Sequence, residues 1–95
     1  MIVKDLEKPD LYVVARFLEI MYNNGSGMKK TNIQMLLGVR YPRFMEYLEW
    51  LLEHGLVAES IDEEGAERIK LTPKGIESYH KLVDWIKETL DGVKI

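Results

Sequence analysis

The chain has 95 residues, of which 46% are hydrophobic and 31% charged, and its formal net charge is −3. This balance belongs to a folded globular domain, and the length suits one domain with a small core. With no cysteine and only two histidines, a disulfide framework, a thiol nucleophile, an iron–sulfur cluster and a Cys/His zinc site are excluded.

Pro9-Asp10 predicts a helix start, with Asp10 as the cap and Leu11 opening the apolar pattern. The run Asn23-Asn24-Gly25-Ser26-Gly27 stops this helix after about Tyr22. At about 100° per residue, Leu11, Val14, Ala15, Leu18 and Tyr22 form one stripe, and Val13, Phe17 and Ile20 fall on a second side. A helix apolar on both sides needs two packing partners. One is the core; the other is a long helix of the same chain or a second subunit.

Met28-Lys29-Lys30 reads as a short extended piece. Thr31, with Gln34 three residues on, has capping-box spacing and opens a short helix. Ile33, Leu36 and Leu37 form the buried side of that helix, and Gly38 ends it. After the tight connection Val39-Arg40-Tyr41, Pro42 suits the first position of a third helix, which runs to His54 with Gly55 behind it. Its core stripe is Phe44, Leu48, Leu51 and Leu52. The pattern then switches to alternation over Leu56–Ile61 and Ala66–Leu71, with Val57, Ile61, Ile69 and Leu71 pointing inward. Asp62-Glu63-Glu64-Gly65 is the tip of the resulting hairpin. Thr72-Pro73 caps a last helix in which Ile76, Tyr79, Val83, Ile86 and Leu90 recur at helical spacing, with Leu82 and Trp85 off that seam.

The expected class is α+β and mostly helical. Two helices joined by a glycine-bearing turn and followed at once by a hairpin make a helix-turn-helix with a wing. The stretches MKKTNIQMLLGV from Met28, FMEYLEWLLEHGLV from Phe44 and IKLTPKG from Ile69 carry a resemblance across about residues 10–90. The sequence resembles the winged-helix (winged helix-turn-helix) family and is most similar to small archaeal DNA-binding proteins and MarR- or PadR-like transcriptional regulators. The resemblance implies a single domain over 1–95 with a three-helix core. Within it come a helix-turn-helix at about 31–54, a β-hairpin wing at about 56–71 and a long C-terminal dimerisation helix at about 73–91. It further implies double-stranded DNA as partner, with helix 42–54 inserted into the major groove, and surplus apolar surface on the first and last helices adds the expectation of a homodimer.

The only stretch with net positive charge is 28–55, where Lys29, Lys30, Arg40 and Arg43 outnumber Glu46, Glu49 and Glu53. Arg43, in the first turn of the third helix, suits a guanine or a phosphate, and Arg40 and Tyr41 suit backbone oxygens. Lys29, Lys30 and Thr31 at a helix start make a phosphate site, with Gln34 as a further polar contact. Tyr47, Trp50 and His54 continue the flank that begins at Arg43. Arg68 is the wing's contribution to DNA binding. The acidic tip Asp62-Glu63-Glu64 opposes phosphate contact and leaves a second reading open. That alternative is a protein–protein interaction module with Tyr47 and Trp50 as anchors and the acidic wing facing a basic partner.

A dimer interface is expected from Val13, Phe17 and Ile20 on the first helix and Tyr79, Val83, Ile86 and Leu90 on the last. One small core buries only some of these residues, unless the two helices cover each other within one chain. No catalysis is expected. Asn24-Gly25-Ser26-Gly27 lacks the spacing and the following Lys-Ser/Thr of a phosphate loop, and nothing pairs a nucleophile with a base. His80 has no ligand-spaced partner, and neither a cofactor nor a metal is expected. The absence of a long apolar run and of a signal-peptide profile leads to the expectation of a cytoplasmic protein without membrane contact.

Overall fold

The computed structural model describes residues 8–25 and 27–90. The elements in chain order are α1 (Leu11–Asn23), α2 (Lys30–Leu37), α3 (Tyr41–Glu53), β1 (Val57–Ile61), β2 (Glu67–Leu71) and α4 (Pro73–Leu90). This is the expected helical α+β class, with three helices, a hairpin and a long last helix.

Asp10 is extended, and its carboxylate accepts from Tyr12 N at 2.9 Å, so α1 starts at the predicted cap. Phe17 of α1 and Phe44 of α3 stack nearly parallel at 5.6 Å between centroids. Val14, Leu18 and Met21 of α1, Ile33 of α2, and Leu48 and Leu51 of α3 close the core around them. Burying each large apolar side chain stabilises the fold by roughly 1.5–3 kcal/mol. On α2 the packed line is Ile33 and Leu37, four residues apart, while Leu36 is exposed, contrary to the expectation from sequence. Its carbonyl instead accepts from the Arg16 guanidinium of α1 at 3.2 Å, which satisfies an open helix end.

The hairpin is antiparallel in the register Val57↔Leu71, Glu59↔Ile69 and Ile61↔Glu67. Met28 adds a one-residue bridge to Ile69, with reciprocal hydrogen bonds of 2.8 and 2.7 Å, which is the extended piece expected before α2. Val57 and Ile69 point into the core as predicted. Ile61 shares their face but lies at the far end of the hairpin, beyond the core, and is 66% exposed.

The start of α4 is tied to the end of α3 through a set of short contacts. Thr72 N donates to Leu56 O at 3.1 Å, Thr72 Oγ1 donates to Gly55 O at 2.6 Å, and Gly75 N donates to Thr72 Oγ1 at 3.0 Å. Lys74 Nζ reaches His54 O at 2.7 Å, placing a cation at the carbonyl end of α3. At Gly75 a side chain has no room, because a Cβ would overlap the Leu56 carbonyl and stand 3.1 Å from Leu71 Cδ2.

Further along, α4 lies against α1. Tyr22 stacks on Tyr79 at 4.9 Å, Tyr79 and Leu82 pack on the core, and Ile86 is buried. Much of the surface assigned from sequence to a second subunit is therefore covered within the chain. Phe17, Ile20 and Ile86 are buried, and Val13, Tyr79 and Val83 are half-buried. The stripe facing inward is Tyr79, Leu82 and Ile86, so Leu82 belongs to the seam and Ile76, 40% exposed, does not. Trp85 remains 53% exposed on the other flank, and the side chain of Leu90 lies outside the described residues.

Gly75→Ala is expected to destabilise the fold by about 1–3 kcal/mol or more, as overpacking against backbone does. Chemical denaturation of this variant beside Ser78→Ala, a half-buried position on the same helix, measures the effect.

Candidate nucleic-acid interface

Two helix starts carry cations at their caps. Lys29 precedes α2 in an extended conformation (φ −73°, ψ 147°), and Arg40 precedes α3 in nearly the same one (φ −70°, ψ 154°). Neither helix has a side-chain cap, so Lys30 and Thr31 N–H at α2 and Tyr41 and Arg43 N–H at α3 keep their capacity to bind an anion, while Pro42 contributes no donor. Thr31, expected as the α2 cap, lies one residue inside the helix and is exposed. Gln34 does not close a capping box. Its side-chain amide donates to Val39 O at 3.3 Å and braces the turn between the helices. Gly38 makes that turn in the left-handed conformation (φ 76°), with its N–H returned to Gln34 O at 2.9 Å.

On α3, Tyr41 is 50% exposed, and the Arg43 side chain is 51% exposed. The Arg43 guanidinium lies over the Tyr47 ring, 5.2 Å from its centroid, donates to Tyr47 Oη at 3.3 Å and approaches Glu46 at 3.9 Å. Tyr47 itself is wholly buried, and its hydroxyl also accepts from Asp10 N at 2.9 Å. Its place in the outward flank predicted from sequence is corrected accordingly. At 300° from Phe44 it lies on the inner face, and its polar tip is satisfied by the start of α1. Trp50 is half-buried against the core and stacks on His54 at 4.1 Å, and His54 Nδ1 is bonded to Trp50 O at 2.8 Å. The direction opposite Phe44 belongs to Glu46, Glu49 and Glu53.

Two of the predicted cations are engaged by the hairpin. Lys30 Nζ lies 3.5 Å from both Glu59 and Glu67, neighbours on one face of β1 and β2. Burial works against its charge, and the Glu67 and Glu59 carboxylates together outweigh it, so the ammonium stands above its ordinary value. Arg68 pairs with Asp62 at 2.9 Å and donates to Gly27 O at 3.3 Å. Asp62 organises the tip of the hairpin, since one carboxylate oxygen accepts from Glu64 N and Ala66 N, each at 2.9 Å. The Arg68 hydrogen bond first, then that from Ala66, holds the Asp62 carboxyl below its ordinary value. Glu63 and Glu64 remain exposed at the tip. Among the described residues no cluster of three His, Cys, Asp or Glu side chains could hold a metal ion, and no helix is long and apolar enough to cross a membrane.

The helix pair α2–α3, joined by a tight turn, is preceded by a one-residue bridge and followed directly by a hairpin. A family model described as winged helix-turn-helix matches residues 10–90. The chain belongs to the winged helix-turn-helix family. Among solved structures it is similar to a MarR-family transcriptional regulator from Silicibacter pomeroyi, at 22% identity and a TM-score of 0.67 over 86% of this chain and 58% of that one. PcaV, a transcriptional regulator from Streptomyces coelicolor, superposes with a TM-score of 0.73 at 17% identity, covering 80% of this chain and 57% of that one. A mutant of MepR from S. aureus bound to an oligodeoxyribonucleotide gives a TM-score of 0.66 at 21% identity, over 86% of this chain and 64% of that one. The chain thus spans less than two thirds of the length of these regulators. None of the curated proteins matches it. In winged helix-turn-helix terms α2 and α3 are the helix pair and β1–β2 is the wing.

The sequence pointed to the helix pair and the cations around it, but not to how the cations divide. Lys29, Arg40, Tyr41 and Arg43 lie exposed at the helix starts, whereas Lys30 and Arg68 are held by wing carboxylates and Gln34 by the turn. The signal for Lys30 was present as Glu59 and Glu67, but only the strand register makes them neighbours.

Tyr47→Phe should cost about 1–2 kcal/mol, the usual range for removing a partner from part-buried donors, as measured by denaturant unfolding. Asp62 sets the acid response of the wing. Because its folded pKa is depressed, its contribution is present above the unfolded value of about 3.9 and lost as pH falls through the folded one. The Ala66 amide shift followed by NMR should therefore show a step at pH below that value, and in Asp62→Asn this step should vanish.

Proposed function

We propose that this protein is a transcriptional regulator that binds double-stranded DNA as a homodimer and places the N-terminal half of α3 in the major groove. The observation that carries this reading is the pairing of two uncapped helix starts, each preceded by an exposed cation. Such ends bind phosphate through free amides and positive charge together. Lys29 and Thr31 at α2, with Arg40 and Tyr41 at α3, would position the protein on the backbone, and Arg43 would enter the groove. The MarR-family likeness, including a relative bound to an oligodeoxyribonucleotide, supports the same assignment. The protein-contact alternative loses its anchors, since Tyr47 is buried and Trp50 packs against the core.

The dimer would form along the flank of α4 on which Trp85 is exposed. A two-fold arrangement would present two α3 helices to half-sites about one DNA turn apart.

Fluorescence anisotropy with a labelled duplex at about 50 and 200 mM salt tests the DNA reading. A log–log slope of about −3 or steeper is expected, for at least three neutralised phosphates. Lys29→Ala and Arg40→Ala should each make the slope shallower by about one, and Lys30→Ala should leave it unchanged. Absence of binding at the lower salt would overturn the reading. Light scattering should return twice the chain mass of 11.1 kDa, and Trp85→Glu should reduce it to the single-chain value.

A further inference from the structure

We propose that Arg43 and Glu46 act as one preset reading pair, so that the protein prefers half-sites in which a guanine lies beside a cytosine or an adenine. This inference rests on the DNA-binding reading and deepens it by naming the base chemistry α3 selects. The two side chains are one turn apart on the first half of α3, 3.9 Å from each other, with 51% and 36% of their surfaces exposed.

Arg43 is held from three sides. Its guanidinium lies over the Tyr47 ring at 5.2 Å, donates to the Tyr47 hydroxyl at 3.3 Å and faces the Glu46 carboxylate. The phenol cannot swing away, because it is buried and accepts from Asp10 N at 2.9 Å. Tyr47 is thus a positioning residue. It presents a planar, forked donor in one pose, and a guanine edge offers the matching pair of acceptors, O6 and N7.

Glu46 supplies the opposite chemistry. An ionised carboxylate only accepts hydrogen bonds. On the major-groove floor the donors are cytosine N4 and adenine N6, whereas guanine there offers only acceptors. Opposite guanine, Glu46 leaves buried acceptors facing each other, so it discriminates by repulsion as well as by attraction. A carboxylate beside the arginine also offsets its sequence-independent pull on phosphates. A cation alone at this position would bind many sequences, and the pair restricts it.

The experiment is selection from a randomised duplex pool at fixed salt, followed by sequencing, for wild type, Glu46→Gln, Glu46→Ala and Tyr47→Phe. Circular dichroism first establishes that each variant is folded. Wild type should enrich a guanine with cytosine or adenine beside it. Glu46→Gln should move the second base towards adenine, because an amide pairs with both N6 and N7 of adenine. Glu46→Ala should flatten that position by about tenfold while binding to random duplex strengthens. Tyr47→Phe should broaden the guanine position without changing the salt slope. Both Glu46 variants binding every sequence more tightly with unchanged base preference would overturn the proposal and leave Glu46 as a repulsive charge only. Salt-dependent wild-type binding with no base preference at this step would overturn the pair alone. No wild-type binding to any duplex would overturn both the pair and the DNA reading.

Discussion

The carbonyl of Leu56 is the point at which the three working parts of this molecule meet. It lies just past α3, opens the wing, accepts the Thr72 N–H at 3.1 Å and receives the bare Cα of Gly75. Around it Thr72 Oγ1 and Lys74 Nζ take up the carbonyls of Gly55 and His54, which the end of a helix leaves without partners. Short contacts between main-chain groups permit little rocking. The tilt of α3 is therefore fixed against both the wing and α4, and a groove-reading helix and a dimerising helix would need that fixed relation to match two half-sites.

A second constraint is electrostatic. With a net charge of −3, the chain carries more carboxylates than cations, and two of the cations near the helix pair are held by its own wing. Lys30 bridges α2 to both strands through Glu59 and Glu67, and Arg68 closes the tip onto Asp62 and the Gly27 carbonyl. These pairs are partly exposed, so each contributes modestly to stability, and their effect is more one of geometry. They hold the wing against α2 and leave Glu63 and Glu64 at its tip, a poor surface for phosphate. In the DNA-binding reading, contacts would thereby be concentrated on the helix starts.

Concentration at one end of α3 has a chemical consequence. Its outward face carries Glu46, Glu49 and Glu53, so attraction falls off along the helix from Arg40 and Arg43 towards His54. In the DNA-binding reading the N-terminal half, with Glu46 beside Arg43, enters the groove, and Glu49 and Glu53 weaken attraction to phosphates further along. Non-specific affinity would then be low, and discrimination would depend on a few well-held side chains, of which Arg43 over Tyr47 is the best fixed.

What the sequence determined by itself was whatever depends on neighbours along the chain. Asp10 and Gly38 mark helix ends, the switch from helical spacing to alternation after Gly55 marks the wing, and LTPKG marks the start of α4, because caps, turns and periodicity are local. The order of those elements was enough to reach the family. Tertiary structure alone decided which apolar faces were already occupied and which charges were already paired. Phe17 and Tyr47 lie on faces that look available on a helical projection, yet one stacks on Phe44 and the other is bonded to Asp10. Lys30 looked like a phosphate ligand until the hairpin register brought Glu59 and Glu67 together, because a contact between residues about thirty positions apart is set by packing and not by spacing.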